Sequence, residues 1–90
     1  MNGTSKIRRA FREGSLPHGN YGIQYGDYNF TERRIVWDGF WNIRVDELSA
    51  YELANEWRAE SIQLTKQRDP SGNPEREALF FRPIDLGGKQ

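Results

Sequence analysis

The chain has 90 residues, enough for one small domain, and its 13 basic and 13 acidic side chains give a formal net charge of zero. That balance gives no overall electrostatic case for binding nucleic acid or an acidic membrane surface. The sequence has no cysteine, which excludes disulfides and thiolate metal sites and fits a cytoplasmic location. No apolar run approaches the roughly 20 residues that span a bilayer, so we expect no membrane contact.

The N-terminal segment predicts a short basic helix. Thr4 or Ser5 is suited to cap a helix that runs to about residue 13, where Gly14 ends it. Ile7 and Phe11 lie four residues apart, so they share one helix face and can dock it. The basic side chains of the segment are Lys6, Arg8, Arg9 and Arg12. They are candidate contacts for nucleic acid, although a solvated helix has the same pattern.

The sequence offers little for catalysis or metal binding. His18, in the loop at 15–20, is the only histidine, and without a second histidine or a cysteine we expect no metal site. Nucleophilic catalysis needs an activated nucleophile with a positioned base, and no such motif is present. Glu52, Glu56 and Glu60 fall on the solvent-exposed side of a predicted helix, whereas catalytic carboxylates need burial or a charged partner. We therefore expect neither an enzyme nor a cofactor.

Two hairpin signals follow one another in the middle of the chain. Residues 21–31 alternate weakly, and Gly26-Asp27 within them predicts a turn between two short strands. Residues 33–45 place Asp38-Gly39 between two runs of β-branched and aromatic side chains, the strongest short-range hairpin signal. A two-residue turn needs positive φ at both central positions, and Asp followed by Gly tolerates that best.

A turn at residues 38–39 fixes which side chains share a face. Trp37 would pair with Phe40 across the turn, and Arg33 with Arg44, because side chains alternate along each strand. One face, the predicted core side, then carries Val36, Trp41, Ile43 and Val45. The other face carries Ile35, Trp37, Phe40 and Asn42, edged by Arg33 and Arg44.

The second half of the chain predicts a long helix and a last strand. Ser49 and Glu52 form a capping box, which predicts a helix over 50–67. Its apolar stripe is Ala50, Leu53, Ala54, Trp57, Ser61 and Leu64. A strand over 77–82 follows and is expected to end at Pro83. We expect the chain to form one domain over 1–90, with residues 1–3 and 84–90 flexible.

The predicted fold is α+β: an antiparallel sheet of three to five strands, one long amphipathic helix packed on one face, and a short N-terminal helix. A single helix covers one side of the sheet, so the aromatic second hairpin face needs another cover. Tryptophan and arginine are enriched among interface hot spots, so we expect a non-enzymatic protein-binding module, adaptor or inhibitor-like. Its binding residues would be Arg33, Trp37, Phe40 and Arg44.

The sequence does not determine what covers that face. Another protein is one possibility, and a second copy of the chain in a homodimer is another. The N-terminal helix could instead cover the face from within the chain. The alternative function is nucleic-acid binding by the basic N-terminal residues, which predicts an affinity that falls steeply with salt.

Overall fold

The computed structural model describes residues 5–87 and shows an α+β fold with a three-stranded antiparallel sheet. The elements in chain order are α1 (Lys6–Glu13), β1 (His18–Asn29), β2 (Arg34–Val45), α2 (Glu47–Arg68), α3 (Pro74–Glu77) and β3 (Phe80–Asp85). The strand order is β2-β1-β3, so β1 is central and pairs with both neighbours. The predicted fold class is confirmed.

The N-terminal helix forms as predicted and packs on the helical side of the sheet. Ser5 caps α1 by accepting a hydrogen bond from the Arg8 backbone N–H, and Gly14 ends the helix with φ +72°. The Phe11 ring meets Trp57 of α2 edge-on, with 5.5 Å between ring centroids. Of the alternatives left open above, cover of Trp37 and Phe40 by α1 is therefore excluded, because the apolar side of α1 packs against α2.

The two predicted turns are both wrong, because their glycines lie inside strands. Gly26 and Gly39 belong to β1 and β2, which form one hairpin of two 12-residue strands. The turn between them falls at residues 30–33, where the Asn29 side chain accepts a hydrogen bond from the Glu32 N–H and the Asn29 carbonyl accepts one from Arg33. Backbone pairing along both strands outweighs the local preference of two dipeptides.

A β-bulge sits where the second turn was predicted. Tyr25 pairs with Gly39, but the next residue, Gly26, pairs with Trp37, which leaves Asp38 as an extra residue in β2. An extra residue reverses the alternation of faces beyond it. Trp37 and Phe40 therefore lie on the same face, as predicted, although a bulge and not a turn brings them there.

The predicted pairing of Arg33 with Arg44 is wrong. Arg33 lies in the hairpin turn with φ +60°, outside β2, while Arg44 lies at the far end of that strand. About ten residues of extended chain, roughly 33 Å, separate the two positions. Arg44 donates instead to the side chain of Asn42 and to the carbonyl of Gly87.

The last strand is shifted from its predicted position. Residues 74–77 form α3, and β3 begins at Phe80 and continues through Pro83 to Asp85. An edge strand accommodates a proline because the outer side of its backbone needs no partner. Ile84 and Asp85 pair with β1. Residues 1–3 and 88–90, parts of the termini expected to be flexible, lie outside the described residues, and that flexibility stays a prediction.

The long helix begins earlier than predicted. Asp46, not Ser49, is its N-cap: the Asp46 carboxylate accepts a hydrogen bond from the Ser49 N–H, so α2 starts at Glu47. Ser49 is buried within the first turn. A carboxylate at this end also interacts favourably with the positive end of the helix dipole.

The core is small and lies between α2 and one face of the sheet. Ile23 of β1 and Leu53 of α2 are the largest fully buried side chains. Trp57 extends this core, with its ring centroid 5.3 Å from that of Trp41 and 6.0 Å from that of Phe81. The molecule is flat, 14 Å in its thinnest direction, because a single helical layer covers a single sheet.

Candidate binding surface

The sheet face opposite α2 carries Trp37 and Phe40. Phe40 pairs with Gln24 of β1, and Gln24 pairs on its other side with Arg82 of β3, so these three side chains cross one face in a row. Phe40 is 50% exposed, which shows that no part of the chain among residues 5–87 covers the face at this position of β2. We call these residues the open face: Gln24, Trp37, Phe40 and Arg82.

Arg82 organises the open face. Its guanidinium carbon lies 4.1 Å from the centre of the Trp37 ring, a cation–π contact between the two edge strands. Its Nε donates a hydrogen bond of 2.7 Å to the Gln24 side chain, which holds the guanidinium over β1. Trp37 is therefore half-buried beneath an arginine, whereas Phe40 beside it is exposed.

Sequence reasoning missed Arg82 and Gln24 as members of this surface. Their position depends on β3 pairing with β1, a contact between residues 58 positions apart along the chain. No local pattern carries that information. Of the four predicted binding residues, the structure brings Trp37 and Phe40 together and places the two arginines at opposite ends of the hairpin. Their role in binding stays a prediction.

The paired positions on the same side of the sheet as the open face carry no acidic side chain. Alternation and the observed pairing place eleven residues on that side of the sheet, and none is Asp or Glu: Gly22, Gln24, Gly26, Tyr28, Ile35, Trp37, Phe40, Asn42, Phe80, Arg82 and Ile84. Asp38, the extra residue of the bulge, has no pairing partner that assigns it to a face. Arg82 supplies the formal charge among these paired positions, so they are basic although the whole chain is neutral.

A second apolar surface lies on the helical side. Trp41 is 42% exposed and Leu64, on α2, is 54% exposed, and they border a groove of about 320 Å³. The groove is lined by Trp41, Trp57, Glu60, Ser61, Leu64, Leu79 and Phe81. The three aromatic rings of the groove pack against one another, and Trp57 and Phe81 also pack against the core, so the groove is in large part the open edge of the core packing.

The basic N-terminal residues are partly neutralised within the molecule. The guanidinium of Arg8 lies 2.8 Å from the Glu60 carboxylate and 3.8 Å from that of Glu56, both on α2. Lys6, Arg9 and Arg12 are exposed on α1. The acidic side of α2 therefore faces part of the basic helix, which weakens the electrostatic case for nucleic acid at this site.

No protein-family model matches the chain, and comparisons with curated proteins and with solved structures gave no match either. Within residues 5–87, no three His, Cys, Asp or Glu side chains lie close enough together to hold a metal ion. None of the helices in that part of the chain combines the length and apolar character needed to cross a membrane.

Proposed function

We propose that the protein is a non-enzymatic protein-binding module whose contact surface is the open face. The observation that carries the proposal is the half-exposed Phe40 beside the Trp37–Arg82 pair, at a position of the sheet that residues 5–87 leave uncovered. Aromatic and arginine side chains are the ones most enriched in interface centres. The proposal includes a cytoplasmic location, supported by the absence of cysteine.

The charge of the open face favours a different protein over a second copy as the partner. Two copies meeting through this face with their symmetry axis near Arg82 would bring two guanidinium groups together, and like charges at an interface oppose association. A partner that carries Asp or Glu opposite Arg82 and an apolar side chain opposite Phe40 fits both features.

Nucleic-acid binding is the alternative, and salt dependence separates it from protein binding. Each phosphate that a protein neutralises makes its affinity fall more steeply with salt, so binding through Lys6, Arg9 and Arg12 would weaken strongly between about 50 and 200 mM salt. An aromatic-centred protein interface changes much less. Binding of mixed-sequence RNA and DNA, measured at both salt concentrations, tests this alternative directly.

The test of the proposal is a Trp37→Ala, Phe40→Ala double variant in affinity capture from the native host, read by mass spectrometry. We expect the variant to remain folded by circular dichroism and to lose the partner that the unmodified protein retains. A Phe40→Lys variant repeats the test with little risk to folding, since that ring is half exposed.

The matched control is a Leu48→Ala, Tyr51→Ala variant, which removes two exposed apolar side chains from α2 instead of the sheet. It should retain the same partner. Equal retention by all variants would refute the open face as the contact surface. Sedimentation velocity of the unmodified protein gives the oligomeric state, and a dimer that Phe40→Lys dissociates would replace the proposed partner with a second copy.

A further inference from the structure

A pocket of about 480 Å³ lies where the end of the β1–β2 hairpin meets α3. Its lining is basic and aromatic: Tyr28, Arg34, Ile35, Arg58, Glu75, Arg76 and Phe80. Ile35 lies two residues before Trp37 on β2 and on the same face, so the pocket adjoins the open face. A ligand segment that crosses the open face can therefore reach it.

Arginine side chains in this pocket lie on aromatic rings. The guanidinium carbon of Arg58 is 3.8 Å from the centre of the Phe80 ring, and that of Arg76 is 4.7 Å from the centre of the Tyr28 ring. Each arginine is held by its ring on one side, which reduces the conformational entropy that it loses when it binds an anion.

Two of the three guanidinium groups form no ion pair among the described residues, although Glu75 also lines the pocket. Arg34 forms an ion pair with Glu32 at 2.7 Å, but neither Arg58 nor Arg76 has a carboxylate oxygen of residues 5–87 within ion-pair distance. Glu75 offers Arg58 its backbone carbonyl, at 2.6 Å. Partial burial lowers the pKa of Arg58, and the nearby Glu75 carboxylate acts in the opposite direction without cancelling that effect. A bound anion would stabilise a fixed, partly desolvated positive charge of this kind.

We propose that this pocket binds a phosphate monoester carried on an aromatic ring, as in a phosphotyrosine of the protein partner. The inference rests on the proposed function and names the chemistry of the partner. A phosphate brings close to two negative charges and three acceptor oxygens, which suits several arginines converging on one site. The ring of the ligand would lie against Ile35 and the aromatic side chains of the pocket, which accounts for a lining that is apolar as well as basic.

The probe is N-acetyl-O-phosphotyrosine amide, titrated into the ¹⁵N-labelled full chain and followed by NMR chemical shifts. We expect saturable shifts around Tyr28, Ile35 and Arg76. An Arg34→Gln, Arg76→Gln double variant should bind at least about tenfold more weakly, since each charged hydrogen bond contributes that much or more. Both side chains are exposed, and Arg58 is left intact because it holds three backbone carbonyls.

The control variant is Arg9→Gln, Arg12→Gln, which removes the same charge from α1 and should change the affinity by less than about twofold. Absence of saturable binding, or equal binding by the pocket variant, overturns the inference. Equal binding of inorganic phosphate would mean an adventitious ion only. Tighter binding of AMP would identify a nucleotide site in place of a phosphoprotein site.

The outcomes also separate this inference from the proposed function. If the Trp37→Ala, Phe40→Ala variant loses the partner while the Arg34→Gln, Arg76→Gln variant retains it, the binding module stands and the phosphate pocket is refuted. If the phosphotyrosine probe binds but neither variant changes partner capture, the open face is refuted instead.

Discussion

The assignment of the two sheet faces is tested by comparing Leu53→Ala with Phe40→Ala. Leu53 has no exposed side-chain area and packs against Ile23 and Ala54. Truncating a fully buried leucine removes its transfer free energy and leaves a cavity, which costs about 3 to 5 kcal/mol. Ninety residues support a total stability of only about 5 to 13 kcal/mol, so this variant should lose a large share of it.

Phe40→Ala should cost far less. Half of its side chain is exposed, so the ring buries about 100 Å² of the roughly 200 Å² that a phenylalanine offers. At about 25 cal/mol per Å² that area contributes at most about 2.5 kcal/mol, and the alanine retains part of it. No closed cavity forms, because the ring already borders solvent. We therefore expect a loss of about 1 to 2 kcal/mol.

Urea denaturation followed by circular dichroism measures both losses. The midpoint should fall in both variants with little change in the slope, and Leu53→Ala should lower the melting temperature by at least about 12 °C. If Phe40→Ala costs as much as Leu53→Ala, the Phe40 ring is part of a core, and the open face does not exist. A loss below about 1 kcal/mol for Leu53→Ala would refute the placement of the core.

Three further predictions test the corrected elements. Asp46→Ala should cost about 1 kcal/mol in urea denaturation because it removes the cap of α2, whereas Ser49→Ala should stay within about 0.5 kcal/mol. Gly26→Ala should cost about 1 to 3 kcal/mol, since its Cβ would meet the backbone of β2 at an impossible distance, and a neutral result would contradict the register. Partial burial, and then neighbouring carboxylates, raise the pKa of Tyr21. Its contribution to stability is therefore complete below the unfolded pKa of about 10 and is lost as pH rises through the folded value, so Tyr21→Phe should reduce the alkaline fall of the urea midpoint.

The helices could be predicted from sequence because their signals are local. Ser5 and Gly14 cap α1 as expected, and the apolar spacing of α2 placed Leu53 and Ala54 in the core. The start of α2 was misplaced because Asp46, three residues before Ser49, is itself a good cap residue. Its carboxylate accepts from the Ser49 N–H, so the helix begins earlier and Ser49 is buried in the first turn.

The hairpin could not be predicted because the residues of its turn, 30–33, have a weaker local turn signal than Asp38-Gly39 has. Asp38-Gly39 matches a tight turn, but no φ at either residue is positive, and Gly39 lies beneath the Tyr25 ring within the strand. The real turn gives positive φ to Arg33, a conformation that arginine rarely adopts and that no propensity indicates. Long antiparallel pairing, which is a tertiary property, decides between them.

The shared face of Trp37 and Phe40 was predicted correctly for a wrong reason. A two-residue turn places residues 37 and 40 opposite one another, and a one-residue bulge at Asp38 places them on one face of the same strand. Both arrangements reverse the alternation once. The two arrangements differ in where they place the arginines. A turn at residues 38–39 would pair Arg33 with Arg44, whereas in the observed hairpin Arg82 of β3 contacts Trp37.

Solvent exposure of the Phe40 ring, measured by the relaxation that a soluble gadolinium chelate induces in NMR, tests the account most directly. At a concentration where the protein is monomeric, we expect strong relaxation of the Phe40 ring protons and little at the methyl groups of Ile23 and Leu53, which are fully buried. Relaxation of the Phe40 ring as weak as that of these two methyl-bearing residues would mean that the chain covers its own sheet, and the reason to seek a partner there would be gone.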